Sequence, residues 1–589
     1  MVVHSQRRSL EAFLPLAAQT VSPRALEEAY RHELAGLQAC RAVARLWAKD
    51  FTLWPAPELS SKSESLALNW LDLPAQMGEY MRRVQKAAAL LGSGRFESVV
   101  FLAMGASNLA AHAIAQLAPI ERVNRFLVLD SIDPATILRV ESQIDLRRAL
   151  FVVANKSGKV IELHALLLYL LDRLRALGVI KPGEQFIGVT EENSYLAEMG
   201  KSYRFREIFF DPPGITGRFS SLIHFDLLLA GVCGVEPARL EERARAMREA
   251  CGPSAPEPSN PALQLAALLA ATAHSPGSRL FLAAEPAMAP FLRCIGCVVG
   301  ASTGKHRQGI VPLFCELGED AELPVAGGAL GIFALRGRNS AAFERARSIA
   351  AERNLPAVAI EIGDVESMGA ELLKWNVAAV LACSLLGVYP FDEPDAARSR
   401  CAVQQVLERL SMRENIRLPA ARVSEGGIEL RAEGATRRQL STLNLSAALG
   451  TFFDLRHADG YMAILGFLDS SVEVWSALAE LRAKIEAEIG IPAQPALGPR
   501  YLHYFGQLLK GGPPRRIFLI LTAAEERDIA VPGAGYSFGQ LQGALALGEF
   551  EALHRQGESV IWLHFSRGFA SGIRQLLETL AGTRASSRG

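Results

Sequence analysis

Residues 299–313 read VGASTGKHRQGIVPL, a run that invites comparison with a phosphate loop. A nucleotide-hydrolysing loop of the Walker type needs Gly, four residues, Gly, Lys and then Ser or Thr, because backbone amides must wrap the phosphates and a hydroxyl must reach magnesium. Here the first position is Val299 and the residue after Lys305 is His306. Both requirements fail, so the segment needs another chemistry. Three further stretches carry residue types suited to anions. AMGASNLAA places Ser107 and Asn108 just after Gly105, and ANKSGKVIEL offers Asn155, Ser157 and Lys159. Read as strand-to-helix turns, two such helix starts can cup one phosphate. The plainer reading is two ordinary turns with Ser and Asn as N-caps. In DPPGITGRFSSLIHFDLLLAG, Arg218 follows a glycine and precedes an apolar helix. An arginine so placed can stabilise an enolate or bind a carboxylate or phosphate, and its plainer role is a surface salt bridge.

These residues need elements to hold them. Between Ser98 and Pro213, short β-branched runs recur: SVVFLAMG, RFLVLD, ALFVVAN, QFIGVT and EIFFDPP, with helical patterns between them. Continuous apolar strands alternating with helices are the signature of a parallel sheet covered on both faces. A second series starts near Arg279 with RLFLAAE, GIFALRG and AVAIEIG, and resumes near the C-terminus with RRIFLILTA and SVIWLHF. The expectation is an α/β chain of two doubly wound parallel-sheet lobes with helical extensions. Its parts are an N-terminal helical arm over 1–64, a first lobe over 65–250 and a second lobe with a C-terminal extension over 251–589. In such sheets ligands sit at the carboxyl ends of strands, where the three anion-suited stretches fall.

Composition narrows the partners. The chain has 589 residues, half of them hydrophobic, and its 62 Lys plus Arg balance 62 Asp plus Glu. With no global positive field, neither nucleic acid nor an anionic membrane is an expected partner. The apolar run Val377 to Tyr389 is about a dozen residues, short of the roughly 20 that span a bilayer, and reads as a core helix. The N-terminal residues show no apolar core followed by a small-residue cleavage site, so a cytoplasmic location is expected. Eight scattered cysteines suit a reduced compartment. Cys294 and Cys297 form a CxxC, but without a second CxxC or a spaced His pair they read as buried helix residues, and no metal site is expected.

Taken together, AMGASNLAA, LVLDSIDPATI, VVANKSGKVIEL, PPGITGRFSSL, GASTGKHRQGIVPL, LLGVYPFDEPD, LGPRYLHYFGQLLKGGP and VPGAGYSFGQLQGALALGEFEAL resemble the phosphoglucose isomerase family. The likeness runs in order from about Trp47 to Phe565 and is nearest to the isomerase half of bacterial transaldolase and phosphoglucose isomerase fusion proteins, the transaldolase barrel being absent. It implies two sugar-isomerase (SIS-type) lobes, a small-molecule sugar phosphate as ligand, no cofactor, and a homodimer, as is common in the family. It also implies an activity: interconversion of glucose 6-phosphate and fructose 6-phosphate through a cis-enediol.

By that resemblance His503 matches the ring-opening histidine, Glu162 its supporting carboxylate and Arg218 the arginine facing the enediolate. The phosphate site is implied at Ser107, Asn155, Ser157 and Lys159. Other positions depart from the family. Its Ser-Lys-Ser-Gly-Thr-Thr phosphate loop is here Asn155-Lys-Ser-Gly-Lys-Val160, and the lysine expected after the Pro-Phe-Asp segment falls on Arg400, which keeps the charge but not an easily lost proton. The most consequential departure is Ala301, which stands where the family has the glutamate that carries the proton between sugar carbons 1 and 2. General-base catalysis is typically worth ~10²- to 10⁴-fold. His306, otherwise a surface histidine, and Glu285, at the end of RLFLAAE, are candidate replacements. An alternative is therefore a sugar-phosphate-binding protein with impaired turnover; a third is a changed substrate that meets Lys159.

Overall fold

The computed structural model describes residues 17–58, 64–76, 78–91, 96–118, 125–156, 160–220, 223–318, 323, 327–338, 340–412 and 418–586. Its strands are β1 (Ala17–Ser22), β2 (Ser98–Ala103), β3 (Arg125–Leu129), β4 (Ala149–Ala154), β5 (Phe186–Thr190), β6 (Glu207–Phe210), β7 (Arg279–Ala284), β8 (Val311–Glu316), β9 (Ala329–Leu335), β10 (Ala357–Ile362), β11 (Ala421–Glu425), β12 (Ile428–Arg431), β13 (Tyr461–Phe467), β14 (Ala493–Leu497), β15 (Arg516–Ala523) and β16 (Ser559–Phe565).

They form three sheets. The first has the order β3-β2-β4-β5-β6 and is parallel throughout. The second, β1-β10-β9-β7-β8, is parallel except at β1, which pairs antiparallel with β10. The third, β11-β12-β16-β15-β13-β14, has a parallel half and an antiparallel edge made by β11 and β12. Every residue of β2, β5, β7 and β9 is buried, the run type that a sheet covered on both faces requires.

The α/β class with parallel sheets is as the strand pattern predicts. Residues 251–589 carry two sheets rather than one, because the interval after β10 is filled by the helices Met368–Leu386 and Pro394–Ser411, after which a fresh set of strands begins. The N-terminal arm has the expected helices, Glu27–Ala39 and Ala42–Trp47, but is not wholly helical: β1 lies across the edge of the second sheet. Alternation in β13 joins the third sheet to the rest. Tyr461, Ala463 and Leu465 enter the main core, while Met462 and Ile464 face a separate cluster with Leu519, Leu521 and Ile561.

The helix Met368–Leu386 is longer than the run expected from Val377, and the reason is a buried ion pair. Glu371 and Lys374 lie 2.7 Å apart with side chains 0% and 1% exposed, and Glu371 also accepts from Trp375 Nε1 at 2.9 Å. Two charges that interrupt the apolar pattern are thus absorbed within it. By length and composition Pro286–Thr303 and Val365–Leu386 could cross a membrane, but 78% and 89% of them is buried inside this fold.

Candidate functional site

Three strand ends bring the first group together. Helix Ile161–Ala176 follows β4, and its second residue is Glu162, 2% exposed. A carboxylate in the first turn of a helix is favoured by the free amides there. The short helix Arg500–His503 follows β14 and delivers His503, whose Nε2 lies 2.9 Å from Glu162 Oε1. Gly105, after β2, has φ +105°, and a Cβ there would stand 3.1 Å from the Cβ of His503. The positive φ favours glycine, and the close approach adds to the cost of any side chain there. Burial alone would raise the Glu162 carboxyl, but the charge and hydrogen bond of His503 outweigh it and hold the group below its usual value.

Arg218 anchors the second group. It sits in the turn Gly217–Phe219, 3% exposed. Its Nη1 donates to Glu393 Oε1 at 2.5 Å, and its Nη2 to the carbonyls of Pro390 at 2.5 Å and Asp392 at 3.1 Å. Nε is buried with no hydrogen-bond partner. The surface salt bridge that is the plainer reading of Arg218 is thus replaced by a part-buried one, with the guanidinium inside. Arg400, exposed, reaches the other oxygen of Glu393 at 3.4 Å. Burial would raise Glu393, and Arg218, Arg400 and Lys305 together bring it below its usual value.

The segment that invites comparison with a phosphate loop is the end of a helix, a turn and the start of β8. Ala301 lies in the last turn of Ala289–Thr303, 2% exposed, and Cys294 and Cys297 are buried on the same helix. Thr303 Oγ1 donates to the Val299 carbonyl and accepts from the amide of Ile310, so the turn into β8 closes on itself and its hydroxyl is used. Lys305, 1% exposed, pairs with Asp392 at 2.9 Å and donates to the carbonyl of Tyr389. Residues 389–393 are therefore pinned over the end of the helix that carries Ala301.

Gln507 links the two groups. Four residues after His503, its Nε2 donates to Gly304 O at 3.0 Å and to Asp395 Oδ2 at 2.7 Å, while its Oε1 accepts from the amides of Asp395 and Ala396 at 3.0 and 3.2 Å. Cys297 Sγ reaches the carbonyl of Tyr504 at 3.4 Å. His503, the end of the Ala301 helix and the Glu393 segment are thus tied together through neighbouring residues.

The expected phosphate residues are only partly described. Ser157 and Lys159 lie outside the described residues, as does the side chain of Ser107, whose backbone belongs to helix Ala106–Leu117. Asn155 is buried just after β4, with neither amide atom hydrogen-bonded among the described residues. Val160 is the N-cap of the Glu162 helix and gives no side-chain bond.

Of the two replacement bases, His306 is half exposed and paired with Glu58 at 3.2 Å, on the surface. Glu285 follows β7, and its Oε1 is buried with no hydrogen-bond partner among the described residues. Sequence reasoning missed Glu393, Gln507 and Lys156. Lys156 has no hydrogen bond, lies 3.7 Å from Glu191, and is brought down to about 8 by burial, with Asp211 and Glu191 opposing. Its place beside Asn155 was the available signal. Among the described residues no group of three or more His, Cys, Asp or Glu is arranged to hold a metal ion.

No known family model matches the chain. Glucose-6-phosphate isomerase of Borreliella afzelii is 30% identical over 149 residues, which cover 24% of this chain and 28% of that protein. Glucose-6-phosphate isomerase of Synechococcus elongatus is 24% identical over 414 residues, covering 62% of this chain and 76% of that protein. The chain thus spans little more than a quarter of the Borreliella relative and about three quarters of the cyanobacterial one. Both are distant. Among solved structures, a hypothetical protein of Thermus thermophilus aligns with a TM-score of 0.57 at 22% identity, over 66% of this chain and all of that one, a likeness of fold.

Proposed function

We propose that the protein is an aldose–ketose isomerase of a sugar phosphate, with glucose 6-phosphate and fructose 6-phosphate as the first pair to test. The observation that carries this is the buried Glu162 carboxylate 2.9 Å from His503, tied through Gln507 to the segment that engages Arg218. Ring opening needs a proton moved at the ring oxygen, and a histidine oriented by a carboxylate is suited to that step. Isomerisation then passes through an enediolate, whose negative charge a buried guanidinium stabilises; Arg218 retains an unpartnered Nε–H for it. Asn155 and Lys156, with Ser107, Ser157 and Lys159 by resemblance, would hold the phosphate. The glucose-6-phosphate isomerases among its distant relatives support the substrate class. Nearness to the isomerase half of the fusion proteins rests on the motif resemblance alone.

A second reading has its own observation. Ala301 puts a buried methyl where the resemblance places a carboxylate, and three acceptors already engage Arg218. That arrangement suits a protein that binds sugar phosphate without turning it over. A coupled assay with fructose 6-phosphate, run beside calorimetric binding of the same sugar, separates the two. Turnover within about a hundredfold of a typical enzyme's ~10 s⁻¹ supports the isomerase. Binding without turnover supports the second reading, and neither binding nor turnover removes both.

A further inference from the structure

The proposed chemistry lacks a base at position 301, and among the described residues the carboxylate that engages Arg218 is Glu393. We propose that Glu393 is the general base that carries the proton between carbons 1 and 2 of the sugar, an inference that rests on the isomerase reading above. Glu393 Oε1 is fixed on Arg218 Nη1 at 2.5 Å, while among the described residues Oε2 meets the long 3.4 Å contact from exposed Arg400. Its side chain is 30% exposed beside an Arg218 side chain that is 1% exposed, so of the two Glu393 is the one that solvent reaches.

Placement supports the substitution. Lys305 holds Asp392 and the Tyr389 carbonyl over the end of the Ala301 helix, and Glu393 is the next residue. Cys297, one turn before Ala301 on the same helix, feels both Arg218 and Glu393, although burial is what chiefly raises its thiol to about 12. The segment lying over the helix end thus carries a carboxylate where the helix itself has Ala301. Four other acids are held in pairs, while Glu285 Oε1 is buried without a hydrogen-bond partner among the described residues. Glu162 holds His503, Asp392 pairs with Lys305, Asp395 is shared by Gln507 and Arg398, and Asp211 lies 2.9 Å from His224.

The step balances without a further reactant. Oε2 of Glu393 takes the proton from C2 of the open-chain aldose, the C–H electron pair becomes the C1=C2 bond, and the carbonyl pair moves to O1 beside Arg218. O2 passes its proton to O1 as the carbonyl forms at C2, and the C1=C2 pair recovers the proton from Glu393 at C1. Base and cation act on adjoining atoms, so a hydrogen-bonded Arg–Glu pair is an arrangement the reaction can use.

The test compares wild type, Glu393→Gln, Glu393→Asp and the double variant Ala301→Glu/Glu393→Gln. The readouts are kcat and KM for fructose 6-phosphate, and deuterium uptake at sugar carbons 1 and 2 in D₂O. For Glu393→Gln the expectation is a fall in kcat of ~10²-fold or more with KM within a few fold, and loss of deuterium uptake. Glu393→Asp retains part of the rate. The double variant regains at least tenfold over Glu393→Gln, a rescue that also guards against simple misfolding. If wild type isomerises and Glu393→Gln keeps kcat within threefold, the role of Glu393 is overturned and the isomerase reading stands. If wild type binds the sugar but neither isomerises it nor exchanges deuterium, both fall.

Discussion

Replacing Glu162 by glutamine keeps the shape beside His503 and removes the charge. The 2.9 Å contact is made by a carboxylate 2% exposed, so no water takes its place. A hydrogen bond to a charged group is worth ~1.5–3 kcal/mol and a neutral one ~0.5–1.5, a loss of about 1–1.5 kcal/mol. At ~1.4 kcal/mol per tenfold, kcat for fructose 6-phosphate falls about 5- to 12-fold. Glu162→Ala removes the acceptor altogether and falls ~10- to 100-fold on the same scale. The pair also has a signature in stability. Because folding lowers the Glu162 carboxyl, its contribution is present above the unfolded value of ~4.3 and is lost as pH falls through the lower folded value. Thermal midpoints of wild type and Glu162→Gln therefore differ at pH 7 and converge in acid below pH ~4. If both variants keep kcat within twofold, the carboxylate does not orient His503 for ring opening and the proposed division of labour is wrong.

Three further outcomes follow from the same geometry. Gly105→Ala forces a side chain into a φ of +105° and against the Cβ of His503 at 3.1 Å, so ~1–3 kcal/mol of stability and ~10- to 100-fold in kcat are lost; wild-type kinetics would show that the approach is not required. Burial lowers Lys156 to about 8, so its buried charge destabilises the fold below that pH, and the penalty fades as pH rises from about 8 to ~10.4. Lys156→Met is accordingly more stable than wild type at pH 7 by up to ~3 kcal/mol, with the advantage gone by pH ~10.5 in thermal melts. Glu549→Gln strips the partner of Lys510, 2.8 Å away with side chains 0% and 1% exposed, at a cost of ~3–5 kcal/mol. Lys510→Met/Glu549→Leu should recover most of it, and a double variant worse than the sum of the singles would refute the pairing argument.

The strands of the first sheet could be read directly, because a parallel sheet covered on both faces leaves mostly apolar residues between its turns. The pair Glu162 and His503 was reachable only through resemblance, since 341 residues separate them and no local pattern brings them together. Glu393 was invisible for a similar reason. In the string YPFDEPD it looks like one more acid in a surface turn, and its value comes from Arg218, which lies 175 positions earlier. The second-series strands were found correctly, but counting them as one sheet ignored the helices between β10 and β11. Lys374 and Glu371 misled in the opposite direction, since a charge inside an apolar pattern signals a boundary only when its partner is not one turn away.

The antiparallel strand β1 has a consequence for synthesis. Its residues Ala17–Ser22 find their partner in Ala357–Ile362, which the ribosome makes far later. At ~5–20 residues per second, the first strand waits on the order of tens of seconds before the edge it closes exists. During that time the six residues AAQTVS, apolar and polar in mixture and bounded by Pro23 and Arg24, must stay unpaired on a growing chain. A chain begun beyond residue 22 would build all three sheets yet leave β10 bare, with its row of amides and carbonyls open to the first strand that passed.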